Sequence, residues 1–207
     1  ISADGLWTIA SDRWQVQFGR NEGIKAMYRA LPAVLSGDFI MRFGYKATMT
    51  SRCYGGCATS YCPYIFVGLG SSNACNSEAT GQNFYGFRQL PYETDSQPTV
   101  CHSDGTIRPS GSTTGGNLSG TWTGGADENQ YYVEVIKKSD VCTVNFYTDD
   151  TYSSLYGTGS ITRTGSANND VGYIIAMNLN VVHAPYGSAF AEITNLNIWQ
   201  NRDNVCS

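Results

Sequence analysis

Residues 131–147 leave the chain few choices of fold. They read Tyr-Tyr-Val-Glu-Val-Ile-Lys-Lys-Ser-Asp-Val-Cys-Thr-Val-Asn-Phe-Tyr. Tyr131, Val133 and Val135 alternate with Tyr132, Glu134 and Ile136. After the polar break Lys138-Ser139-Asp140, a second run sets Cys142, Val144 and Phe146 against Thr143, Asn145 and Tyr147. Side chains on a strand alternate between faces, so two period-2 runs around a short polar turn predict an antiparallel hairpin. One face (Tyr131, Val133, Val135, Val144, Phe146) suits a core. The other (Tyr132, Glu134, Asn145, Tyr147) is polar and aromatic, which predicts a sheet with one face covered and one wet.

The rest of the chain repeats that pattern. Residues 39–48 place Phe39, Met41, Phe43, Tyr45 and Ala47 on one face, with Ile40, Arg42, Gly44, Lys46 and Thr48 on the other. A helical reading would scatter Arg42 and Lys46 onto the apolar side. Runs at 6–10 and 14–18 form a first hairpin around Ser11-Asp12-Arg13, and 24–30 is a strand that Leu31-Pro32 should close. Residues 64–70 are nearly all apolar, as a strand buried on both faces requires, and 84–90 form a strand ended by Pro91. From 91 to 125 turn formers dominate, Ser103-Asp104-Gly105 among them, with only 99–102 and 119–123 strand-like. Strands follow at 160–164, 173–182 and 189–200. The last contains a phase slip. Ala189, Ala191 and Ile193 share one face, but Leu196 and Ile198 take the other, which predicts a β-bulge near Thr194-Asn195. The count is about 12–14 strands with no helix and no internal repeat.

Composition bounds the function. The 207 residues include 14 Tyr and 23 Gly but only 14% charged residues, a mixture that favours strands and turns. The length suits one all-β domain over 1–207. A net charge of −4 offers no basic patch for nucleic acid, and no apolar run approaches the roughly 20 residues of a membrane helix. The start at Ile1, with neither Met nor a signal-like segment, points to a processed or excised form.

Seven cysteines are many for such a chain. Cys53, Cys57, Cys62 and Cys75 crowd into a Gly/Ser/Asn-rich excursion around 49–82, while Cys101, Cys142 and Cys206 are dispersed. The gaps of three, four and twelve residues between the clustered four are not those of paired zinc knuckles, and neither His102 nor His183 is adjacent. A secreted, disulfide-stabilised framework is the expectation, its connectivity open and its seventh cysteine single or bonded to another chain. The sequon Asn117-Leu118-Ser119 in a Gly-rich stretch adds a candidate glycosylation site at Asn117.

Three segments carry a family resemblance: Ser-Gly-Asp-Phe-Ile-Met-Arg-Phe at 36–43, the hairpin at 131–147, and Ala-Glu-Ile-Thr-Asn-Leu-Asn-Ile-Trp at 191–199. In strand order and pattern the chain resembles the concanavalin A-like lectin/glucanase superfamily, which includes laminin G-like and legume-lectin domains. The resemblance implies an all-β, antiparallel jelly-roll β-sandwich, and a function among sugar binding, polysaccharide cleavage and extracellular adhesion. The glucanase branch carries Glu-x-Asp-x-x-Glu on one strand. No such run occurs here, and glycoside hydrolysis needs two carboxylates at a set separation. Glu134 and Glu192 stand alone on different strands, and a solvated strand residue is the plain reading of Glu134. Lectin metal sites of the superfamily use Asp/Asn-rich loops, so Asp149 and Asp150 are candidate calcium ligands, against the plain reading of a polar turn. There is no Gly-x-Ser-x-Gly elbow.

The expectation is therefore a secreted, noncatalytic carbohydrate-binding or adhesion-type module whose partners are glycans or glycoproteins. Tyr132, Glu134, Asn145 and Tyr147 form the wet face, and Tyr85, Tyr92 and Trp122 extend it at the rim. Aromatic rings offer flat apolar faces to sugar C–H groups, while carboxylate and amide groups bind hydroxyls. The alternatives are a structural or assembly subunit that self-associates through an odd cysteine, and a polysaccharide-cleaving enzyme.

Overall fold

The computed structural model of the chain describes residues 7–10, 13–18, 25–51, 64–71, 79–89, 99–107, 115–119, 127–162, 170–179 and 188–200. They form thirteen strands: β1 (Trp7–Ala10), β2 (Arg13–Phe18), β3 (Lys25–Leu35), β4 (Phe39–Ser51), β5 (Tyr64–Gly70), β6 (Ala79–Gln89), β7 (Thr99–Ile107), β8 (Gly115–Asn117), β9 (Asp127–Lys138), β10 (Val141–Tyr147), β11 (Leu155–Thr162), β12 (Val171–Leu179) and β13 (Ser188–Gln200). All pairings are antiparallel. One sheet has seven strands in the order β1-β2-β13-β4-β9-β10-β11, and the other has six in the order β3-β12-β5-β6-β7-β8. Among the described residues no helix is long and apolar enough to cross a membrane.

The alternation in the sequence decides what lies between the sheets. Phe39, Met41, Phe43 and Tyr45 of β4 are buried with Val133 and Val135 of β9 and with Val144 and Phe146 of β10. Val67, Leu69, Tyr85 and Phe87 belong to the same core and come from the six-stranded sheet. Each such side chain, fully buried, contributes on the order of 1.5–3 kcal/mol against the cost of ordering the chain. Phe146 and Phe87 meet edge to face at 5.0 Å across the two sheets, and Tyr45 joins both rings. The Tyr45 hydroxyl donates to Gln89 Oε1 at 2.6 Å, which satisfies a polar tip inside the sandwich.

The hairpin forms as predicted, with β9 and β10 joined by a two-residue turn. Ser139 in that turn has a φ of 51°, and its N–H donates to Asp38 Oδ1 at 2.7 Å. The predicted slip in the last strand is real as well. The β13–β4 register shifts between Thr194 and Asn197, and Asn195 takes up the extra residue at a φ of 51°. Asn tolerates that left-handed conformation better than most residues do.

Two local expectations are corrected. Pro32 does not close its strand: β3 runs on to Leu35. It is an edge strand, and its register against β12 jumps between Val171 and Tyr173, which is where a residue without an N–H is tolerated. Ser103-Asp104-Gly105 is not a turn but the middle of β7, paired with β6 where β6 itself shifts register between Thr80 and Gln82. The Cys-rich stretch at 52–63 lies outside the described residues, and so do Cys53, Cys57, Cys62, Cys75 and Cys206. No disulfide joins two described residues. Cys142, expected in the disulfide framework, is turned into the core by the alternation of β10. There it belongs to the apolar cluster between the sheets.

Candidate functional site

Strand register brings four of the predicted residues onto one surface, the outer face of the seven-stranded sheet. Arg42 of β4 is directly opposite Glu134 of β9, Glu134 opposite Asn145 of β10, and Asn145 opposite Thr158 of β11. On the far side Arg42 faces Asn197 of β13. The result is a polar row crossing five strands. Tyr132 and Tyr147 form the neighbouring pair, with Tyr132 also opposite Gly44.

The row is hydrogen-bonded from Arg42 to Thr158. Glu134 Oε1 accepts from Arg42 Nε at 2.8 Å and from Nη2 at 2.7 Å. Its Oε2 accepts from Asn145 Nδ2 at 3.0 Å and from the Tyr147 hydroxyl at 3.3 Å. Thr158 Oγ1 donates to Asn145 Oδ1 at 2.6 Å. Glu134 is only 5% exposed, so the solvated carboxylate expected from the sequence is in fact a buried acceptor matched by four donors. A carboxylate removed from water is tolerated only when paired and hydrogen-bonded in this way.

The connection between β10 and β11 reaches over Glu134's neighbours Arg42, Tyr132 and Tyr147. Residues 148–154 fold back over the sheet as a strap, and Asp149 organises it. Asp149 Oδ1 accepts from the Thr151 N–H at 3.0 Å, from the Thr151 hydroxyl, and from Ser153 Oγ at 3.1 Å; Oδ2 accepts from the Ser154 N–H at 2.6 Å. The Thr151 hydroxyl and the strap's N–H groups hold this carboxyl well below the usual carboxylate range. The Asp149 oxygens are committed to the strap's own donors. Asp150 is exposed. No group of three or more His, Cys, Asp or Glu side chains able to hold a metal occurs among the described residues.

The strap delivers Tyr152. Its φ of 58° is unusual for a bulky residue, and the ring lies over the Arg42 guanidinium with Cζ 4.5 Å from the ring centroid. Edge contacts run to Tyr147 at 5.4 Å and to Tyr132 at 6.2 Å. Trp199 of β13 approaches the same guanidinium at 6.0 Å. Burial, ahead of the Glu134 charge, pushes the Tyr152 hydroxyl up to about 12, and burial followed by Glu134 raises Tyr147 as well. The stability tied to the neutral Tyr152 hydroxyl is therefore fully present below about pH 10 and is lost as pH rises through about 12. Ultraviolet titration of the wild type against Tyr152→Phe should show one tyrosine ionising well above the rest. A difference spectrum with its midpoint near the ordinary value would contradict this placement.

One predicted rim residue is placed elsewhere. Tyr85 is a core residue and not part of any rim. It is fully buried on the inward face of β6 and meets Phe39 edge to face at 5.9 Å, because β6 lies inside its sheet and the odd-numbered positions point into the sandwich. Tyr92 and Trp122 lie outside the described residues. Asn117 ends the edge strand β8 and does not lie in a loop. Next to it Leu118 is buried, and the Ser119 hydroxyl accepts from the Thr158 N–H at 3.2 Å.

Sequence reasoning missed Arg42, Tyr152, Thr158 and Trp199 as members of the site. The charge alternation in β4 marked Arg42 as outward-facing, and the strand phase of β13 placed Trp199 opposite Ile40 on the same surface. Nothing local marks Tyr152, which stands in a polar run that reads as a plain turn.

Known proteins match this chain in shape only. No protein-family profile and no curated sequence matches it. Among solved structures, the exoplasmic/lumenal domain of VIP36 in its Ca2+/Man-bound form is similar with a TM-score of 0.57 at 11% identity, covering 98% of this chain and 84% of that one. The family 7 alginate lyase A1-II′ in complex with substrate is similar with a TM-score of 0.55 at 15% identity, covering 99% and 84%. Both are concanavalin A-like jelly-roll sandwiches, and the two antiparallel sheets here have that fold.

Proposed function

We propose that this concanavalin A-like sandwich is a secreted, noncatalytic carbohydrate-binding module, one domain over 1–207, whose site is the outer face of the seven-stranded sheet around Arg42. The observation that carries the reading is the combination of a charge-matched polar row, hydrogen-bonded from Arg42 to Thr158, with an aromatic rim. Tyr132, Tyr147, Tyr152 and Trp199 are all partly exposed above or beside the Arg42–Glu134 pair. A site that orients hydroxyls and stacks sugar rings needs fixed polar groups among aromatic faces, and rigidity lowers the ordering cost of binding. The similarity in fold to VIP36, whose structure is described as mannose-bound, is consistent with a sugar ligand.

Catalysis fits the same residues poorly. General bases work best with a pKa near the working pH, and both Tyr147 and Tyr152 are moved away from it. Both oxygens of Glu134 are already occupied by donors. The similarity to an alginate lyase keeps polysaccharide cleavage as the second reading.

The test is a glycan array with the wild type and Tyr147→Ala, alongside a reducing-end and ultraviolet-absorbance assay on mixed polysaccharides. Binding that falls at least about tenfold in the variant, with melting temperature shifted by less than about 3 °C, supports the reading. Product release would transfer the site to an enzyme. A wild type that binds no glycan at millimolar concentration would remove the reading in favour of an assembly subunit. The proposal includes a disulfide framework in the cysteine-rich stretch. Alkylation of the denatured, unreduced chain checks it, with seven modified cysteines as the contrary result.

A further inference from the structure

We infer that the ligand is a neutral pyranose chain which stacks on Tyr152, and that Asp149 is the residue that positions this aromatic wall. The inference rests on the carbohydrate-binding reading and adds the chemical class of the ligand and the part that reads it.

The groups still open to a ligand are few and well placed. Arg42 spends Nε and Nη2 on Glu134, while its Nη1 makes no hydrogen bond among the described residues. The hydroxyls of Tyr132 and Tyr152 are likewise uncommitted among them. The Arg42 side chain keeps 28% of its surface exposed beneath the Tyr152 ring and beside Trp199. A guanidinium edge and two hydroxyls next to aromatic faces match the hydroxyl edge and C–H face of a pyranose.

Charge selects against acidic sugars. The Arg42 charge is matched by Glu134 at 2.7 Å, Lys46 stands opposite Glu192 in register, and Lys138 faces outward farther along β9, opposite Val141. The strap adds Asp149, whose carboxyl is held ionised, and Asp150. Among the described side chains of this face, three cations against four carboxylates leave a net negative field, and Lys138 stands away from the strap, so polyuronates and sulfated chains are disfavoured while neutral chains are unaffected. A uronate carboxylate would also have to displace Glu134 to gain a bidentate hold on Arg42.

The strap has the construction of a fixed wall. Tyr152 adopts a backbone conformation costly for its type, and such a residue persists only where its surroundings over-determine it. Those surroundings are the hydrogen bonds converging on Asp149 and the Thr148 N–H to Ser154 carbonyl bond at 3.0 Å that closes the strap. Asp149 thus acts through Tyr152 and does not touch the ligand.

The test titrates manno- and gluco-oligosaccharides against oligouronates at low ionic strength, using the wild type, Tyr152→Phe, Tyr152→Ala, Asp149→Ala and the double variant Asp149→Ala/Tyr152→Ala. The neutral chains should bind at least about tenfold tighter than the oligouronates, and Tyr152→Phe should stay within about threefold of wild type. Tyr152→Ala and Asp149→Ala should each lose about tenfold, and the double variant no more than Tyr152→Ala alone, since both remove the same wall. Oligouronates bound as tightly as neutral chains would overturn the ligand class. Neutral binding undiminished in Tyr152→Ala would overturn the wall while the carbohydrate-binding reading stands, and additive losses would overturn the positioning role of Asp149. Failure of the wild type to bind any of these probes would sink both the reading and the inference.

Discussion

Replacing Glu134 by Ala should cost about 2–4 kcal/mol of stability and abolish glycan binding together. The carboxylate is nearly inaccessible and accepts from Arg42, Asn145 and Tyr147. Its removal leaves the guanidinium without its counter-charge beneath Tyr152, and leaves the amide and the hydroxyl without an acceptor. The estimate falls short of the largest values for broken buried pairs because Arg42, at 28% side-chain exposure, can recover some water. Glu134→Gln should lie between: it retains an acceptor but turns a donor toward Arg42 or Asn145. The double change Arg42→Met/Glu134→Leu should recover most of the stability and none of the binding, since an apolar pair removes the desolvation problem along with the site. Denaturant unfolding of Arg42→Met, Glu134→Leu and the Arg42→Met/Glu134→Leu pair, with m unchanged, measures the coupling. A Glu134→Ala variant within about 0.5 kcal/mol of wild type would show the row to be ornamental to the fold.

That buried row also marks where local reading stops. Alternation over 131–147 correctly assigned Tyr132, Glu134, Asn145 and Tyr147 to one face, and the phase slip at 193–196 correctly located the bulge at Asn195, because both depend on the period of a strand alone. Whether that face is wet depends on a segment elsewhere. The strap at 148–154 sets Tyr152 over Arg42 of β4 and beside Tyr132 of β9, and its anchor is Asp149 bonding to residues two to five positions ahead. A polar run containing Asp-Asp-Thr looks the same whether it projects into solvent or closes over a sheet. Tyr85 failed for a related reason. Phe84 and Tyr85 are both buried, on opposite faces of β6, so apolar character could not say which of them faced outward. The Pro32 and Ser103-Asp104-Gly105 errors share a cause too, since propensity predicts a stop where a partner strand instead supplies a register shift.

Gly86→Ala should destabilise the chain by about 3 kcal/mol, against the ordinary expectation that Ala in place of a strand Gly is favourable. Gly86 of β6 is directly opposite Gly68 of β5. A Cβ at Gly86 would press into the Val67 carbonyl oxygen and stand 2.7 Å from Gly68 Cα, and one at Gly68 would meet the Tyr85 carbonyl oxygen and Gly86 Cα at 2.9 Å. These neighbours are backbone held in a ladder, so they cannot yield as a side chain would. The Phe84 ring fills the space left by the two missing side chains, its tip 3.0 Å from the Cβ position of Gly86 and 2.8 Å from that of Gly68. The glycine pair and the phenylalanine are therefore one packing unit on the outer face of the six-stranded sheet, with Phe66 edge to face against Phe84 at 6.1 Å. Gly172→Ala is the matched control. The nearest atom to its Cβ position is Val34 Cγ2 at 3.7 Å, an ordinary contact, so that change should be neutral or slightly stabilising. Thermal and denaturant unfolding of both variants separates the cases. Equal effects from Gly86→Ala and Gly172→Ala would mean that the strands separate readily, and that the close approach of β5 and β6 is not what holds Phe84 in place.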